Sequence, residues 1–151
     1  MRNRIGTGTQ GARMPWHGWL LGGVLLLYGL AAGFDHGMSL AQGATYYRAS
    51  GMSEGQVAYF SAQPAWAIAG WTLSVWAGLL GALALVLRRK VAGALFALAT
   101  AGSLVYIAYV LVLSDGREAM GMLWAMPLVL AALLALMVHY CRQLAGRGVL
   151  R

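Results

Sequence analysis

The chain has 151 residues, 60% of them hydrophobic and only 10% charged, with a formal net charge of +7. A soluble domain carries roughly 25% charged residues, so this composition excludes a water-facing globule. The basic excess shows no face interleaved with aromatics, which argues against nucleic acid as a partner, and the single Cys141 excludes an internal disulfide or a cysteine metal cage.

Residues 1–15, rich in Gly, Thr and Arg, read as a disordered basic tail. A first apolar span follows at 16–34, longer than the 7–15-residue core of a secretory signal, so it reads as a retained helix. The segment 35–64 is the one substantial polar piece. Within it, Ser53 and Gln56 have the spacing of a capping box, which predicts a short helix from Gln56 to Ala62, stopped before Pro64. Tyr46 and Tyr47 suggest an earlier helical turn lying at the membrane interface. Three more apolar spans follow at 65–87, 91–113 and 119–140, with Pro127 expected to kink the last, and 142–151 reads as a second basic tail. Each span is near the ~20 residues that a helix needs to cross ~30 Å of hydrocarbon. Lipid offers the backbone no hydrogen-bond partner, so the spans must be helices. The connections Arg88-Arg89-Lys90 and Ser114–Glu118 are too short for anything but antiparallel neighbours. The fold class is all-α: an integral membrane four-helix bundle over 16–141, with a helical outer segment between helices one and two.

Charge placement sets the expected orientation. Arg2, Arg4, Arg13, Arg88, Arg89, Lys90, Arg142, Arg147 and Arg151 fall on one side, whereas Asp35, Glu54, Asp115 and Glu118 fall on the other, with Arg48 and Arg117. By the positive-inside rule both termini are cytoplasmic.

Small residues recur on the helix faces. Gly18, Gly22, Gly29 and Gly33 form one stripe, Gly70, Ser74, Gly78 and Ala82 a second, and Gly93, Ala97 and Ala101 a third. Such stripes let backbones approach closely, since packing drives association inside lipid. They predict helix packing, with a bulky residue at Gly78 expected to push a neighbouring backbone away, and they suit a homo-oligomer or a membrane-protein partner.

Tyr28, Trp71, Tyr106, Tyr109 and Trp124 lie at similar depth near the outer boundary, and Asp35 shares a stripe with Tyr28. Together these residues outline an aromatic pocket with a carboxylate at its mouth, able to take a small polar solute or a lipid headgroup. An ordinary aromatic belt is the plainer account of the same rings. Asp35 itself reads as an interfacial or capping residue. His17 and His139, both near the basic side, are a remote pair of axial ligands for a b-type haem; otherwise no cofactor or metal is expected. No nucleophile–base arrangement or phosphate loop is legible, so the chain reads as non-catalytic.

Phe34-Asp35, Ala58-Tyr59-Phe60, Pro64-Ala65-Trp66, Trp71, Val75–Gly81, Leu87–Lys90, Ser114-Asp115-Gly116 and the ending Arg147–Arg151 carry a resemblance. From about residue 20 onward the chain resembles a family of small bacterial four-span inner-membrane proteins, sometimes labelled sugar transporters. That resemblance implies the bacterial inner membrane and carries no catalytic motif. Two roles follow as expectations: an oligomeric or accessory membrane subunit, or a transporter protomer for a small, sugar-like solute.

Overall fold

The computed structural model describes residues 12–151. Arg2, Arg4 and most of the basic tail at 1–15 lie outside the described residues. Four helices are long and apolar enough to cross a membrane: Trp16–Gln42, Ala65–Val86, Ala92–Leu113 and Gly116–Gly146. No strand occurs among the described residues. The chain is a multi-pass membrane protein built as an all-α four-helix bundle.

Helix α1 covers Trp16–Gln42 and therefore runs well past the 16–34 span, carrying Asp35 and His36 inside it. Asp35 is not a cap. The polar pair fails to stop the helix because both side chains find partners elsewhere: Tyr46 for Asp35 and Thr72 for His36. Gly43 ends α1, and α2 (Ala44–Ala49) and α3 (Glu54–Ser61) follow. The capping box at α3 is formed: Ser53 Oγ accepts from the Gln56 amide at 3.3 Å, and the Ser53 amide donates to Gln56 Oε1 at 3.0 Å.

Helix α4 (Ala65–Val86) begins directly after Pro64, whose fixed φ suits a helix entrance. It ends at the connection to α5 (Ala92–Ala108), which widens into a π-helical turn at Tyr109–Leu113. The last span is not one helix from residue 119. A short α6 (Gly116–Met120) ends at Gly121 (φ +55°), a 3-10 turn covers Gly121–Ala125, and α7 runs from Met126 to Gly146. Pro127 sits in the first turn of α7, where a missing N–H costs nothing, so it starts the helix instead of kinking it.

Packing follows a chain of neighbours: α1 on α4, α4 on α5, α5 on α7. At the basic end Phe96, Leu85, Met137, Cys141 and Leu144 form the main core. Residues 12–15 and 147–151 contribute to it, beyond the 16–141 limits expected for the bundle. Met14, Val149 and Leu150 are buried there, Arg88 donates to the carbonyls of Val149 and Ala12, and Arg151 exchanges backbone bonds with Arg88 and Lys90. At the opposite end a smaller core of Ala67, Tyr106, Tyr109 and Val110 packs under Tyr59 of α3.

Candidate functional site

The two outer members of the packing chain, α1 and α7, meet at the basic end. There a Cβ on Gly18 would stand 3.0 Å from the Tyr140 hydroxyl, and the His17 and Tyr140 rings lie 5.9 Å apart. Toward the α2–α3 end a cavity of about 490 Å³ lies between α1, α4, α5 and α7.

Each wall is one helix face. On α1, Tyr28, Ala32, Asp35 and Ser39 line the cavity, at the three- and four-residue intervals that share a face. Trp71, Ser74, Val75 and Gly78 do the same on α4, and Phe96, Ser103 and Tyr106 on α5. Leu130, Leu133 and Leu134 of α7 close the far wall, while Tyr47, Met52 and Phe60 form the roof. The deep part is apolar, between Leu25, Phe96 and Leu134; the polar groups Asp35, Ser39 and Tyr47 gather toward the roof.

Of the six residues outlined as a pocket, Tyr28, Asp35, Trp71 and Tyr106 line this cavity. The other two do not. Tyr109 is built into the second core, stacked on Tyr59 at 6.1 Å and meeting Trp66 edge-on at 5.6 Å. Trp124, carried on the 3-10 turn, lies under Arg117, whose guanidinium carbon is 5.0 Å from the ring centre. Depth alone put these rings together; helix rotation separates them.

The small-residue stripes divide in the same way. A Cβ at Gly29 would come within 3.1 Å of the Leu79 backbone, and one at Gly22 within 3.0 Å of Val86, so these glycines seat α1 on α4. Gly33 meets Leu79 and Trp76 less tightly. Gly70 opposes Gly102 on α5, where an added Cβ would lie 3.0 Å from the Gly102 carbonyl oxygen. Ala82 is fully buried and Gly93 faces Cys141. Gly78 is different, with its nearest neighbour 3.7 Å away at Leu134, so its missing side chain opens the cavity instead of bringing backbones together. Ala97 and Ala101 face outward from the bundle.

His36, which by sequence sits with Asp35 at the outer end of the first span, is not among the residues outlined as the pocket. It is fully buried, its ring meeting Trp71 edge-on at 4.4 Å and its Nε2 lying 3.0 Å from Thr72 Oγ1. Thr72 already donates its hydroxyl proton to the Ile68 carbonyl, so the threonine oxygen accepts and His36 Nε2 carries the proton. Trp71 is thus held between His36 and Tyr106, whose ring stacks on it at 6.0 Å. Gln63 in turn donates to the Tyr106 hydroxyl at 3.0 Å. The cavity's central indole is fixed from both sides by hydrogen-bonded partners. A polar residue next to Asp35 on a helix expected to end gave no sequence signal of this.

At the mouth, Tyr46 donates to Asp35 Oδ1 at 2.8 Å, and that bond holds the Tyr46 phenol above the usual tyrosine range. Burial pushes the Tyr47 phenol up as well. The two histidines at the basic end have different partners: His17 packs on Trp16 and Tyr140, and His139 lies 2.9 Å from Gln143. Among the described residues no cluster of three or more His, Cys, Asp or Glu could hold a metal ion. No family model, curated protein or solved structure matches the chain.

Proposed function

We propose that this multi-pass protein is non-catalytic and holds a small amphipathic molecule in the cavity between α1 and α7. The observation that carries the reading is the cavity's polarity gradient: apolar around Leu25, Phe96 and Leu134, polar toward Asp35, Ser39 and Tyr47. A molecule with an apolar body and a polar head matches that gradient. A sugar, with hydroxyls on every side, would leave several of them unpaired against leucine and phenylalanine. The amphipathic ligand therefore ranks above the sugar-like solute. The setting proposed is a bacterial inner membrane with both termini cytoplasmic, so that the α2–α3 roof faces outward.

Native mass spectrometry from mild detergent tests it. Wild type should carry a co-purified adduct or take up added 1-decanol in simple stoichiometry. Gly78→Leu, which places a side chain in the cavity, should lose that adduct. A wild type that takes up neither molecule and cannot be told from Gly78→Leu would overturn the reading.

The accessory or oligomeric role keeps one specific support. Ala97 and Ala101 leave a small-residue seam exposed on α5, suited to a second copy or another membrane helix. Cross-linking through cysteines introduced at these positions should give dimers; exclusively monomeric products would remove this role.

A further inference from the structure

We propose that the cavity's ligand is a lipophilic cation, an apolar body bearing an ammonium-type centre that rests against Asp35 and the aromatic wall. The inference builds on the cavity reading above and adds the sign of the ligand's charge.

Three observations converge. Asp35 is the one charged residue among those lining the cavity. The basic groups that share its end of the bundle are engaged elsewhere: Arg48 is bound through both Nε and a terminal nitrogen to Glu54, at 2.8 and 2.9 Å, and Arg117 lies over Trp124. Asp35 is left with a neutral donor, the Tyr46 hydroxyl, and with no cation among the described residues. The aromatic residues Tyr28, Tyr47, Phe60, Trp71 and Tyr106 line the same space. Ring faces carry partial negative charge and attract cations, most strongly where water is displaced. A carboxylate without a counter-ion beside such rings repels an anion and discriminates weakly for a neutral molecule, while a cation gains from both.

Tetraphenylphosphonium and tetraphenylborate separate these cases, because the two ions have nearly the same shape and opposite charge. Binding to the full-length protein in nanodiscs is measured by equilibrium dialysis, each ion corrected for uptake by protein-free nanodiscs. Tetraphenylphosphonium should bind at least about tenfold more tightly than tetraphenylborate, and Asp35→Asn should remove most of that preference. The wild-type comparison stands alone if Asp35→Asn does not fold. Uptake of 1-decanol without preference for the phosphonium ion would overturn the cation proposal and leave the cavity reading intact. Binding of neither 1-decanol nor either ion would overturn both. Phosphonium binding that persists unchanged in a folded Asp35→Asn protein would also refute the assignment, since the charge that selects it would lie elsewhere.

Discussion

Gly102 and Gly70 mark a close crossing of α4 and α5: a Cβ added to Gly102 would lie 2.7 Å from the Gly70 carbonyl oxygen and 2.8 Å from the Ser74 nitrogen. Backbone cannot yield as a flexible side chain can, so α4 and α5 would have to separate. Gly102→Ala should therefore lower thermal stability in detergent by about 1–3 kcal/mol, the usual cost of overpacking. Gly78→Ala is the control. Its Cβ would meet ordinary contacts at 3.7 and 3.9 Å, and alanine favours helix, so its melting temperature should match or exceed wild type. Equal losses for both would mean that the crossing is looser than described. Arg88 shows a second use of local geometry. It takes a left-handed φ of +57° while the Arg89 amide reaches back to Ala84, a helix ending that glycine normally provides. Its side chain offsets that strain by binding the carbonyls of Val149 and Ala12.

Among the elements, the α2–α3 roof depends most on polar contacts. The roof is fastened by the Ser53 capping box and by the bidentate Arg48–Glu54 pair, both exposed. Arg48 holds the Glu54 carboxyl below its ordinary range. A depressed carboxyl stabilises the fold above its unfolded pKa, and that contribution is lost as pH falls through the lower, folded value. The Glu54 side-chain carboxyl carbon, followed by NMR, should thus titrate below the range of a free glutamate. Arg48→Gln should return that titration to the free range. An unshifted titration in wild type would show that Arg48 does not hold the carboxylate. Because both partners are exposed, the global melting temperature should move little, as for most surface ion pairs. Ser53→Ala should cost about 1 kcal/mol, confined to exchange of α3 amides.

The whole molecule is closed at one end and open at the other. At the basic end Met14 and the last residues of the chain are drawn into the bundle, with Leu150 1% and Val149 3% exposed. Leu150→Ala should destabilise the fold by roughly 2–5 kcal/mol, the range for emptying a buried leucine site. Thermal melts in detergent measure this; a neutral result would mean that the last residues do not belong to the core. The proposed orientation places this end in the cytoplasm. A phosphatase domain fused after Arg151 should be inactive, and one inserted between α2 and α3 active; the reverse pattern would invert the topology. In that proposed orientation the Asp35 side of the cavity would lie toward the outer face, from which an amphipathic cation would arrive.

Four spans, their approximate limits, the helical class and the Ser53–Gln56 cap follow from the sequence by itself. These depend on sums over neighbouring residues: apolar length against bilayer thickness, and a side chain meeting an amide three positions on. Even the docked ending had a local sign, since Gly148 (φ +71°) followed by an apolar residue is a helix-terminating pattern. Tertiary structure alone decided which residues share a space. By residue count Trp124 and Tyr109 share a depth with Trp71 and Tyr106, yet helix rotation and the break at Gly121 turn them to other partners. Gly70 and Gly78 stand in one stripe, and only the helix opposite makes the first a contact and the second a void. His36 reads as an interfacial polar residue until Thr72 and Trp71, on another helix, enclose it. Partnership across helices is set by their relative rotation and shift, and no local stretch of sequence encodes either one.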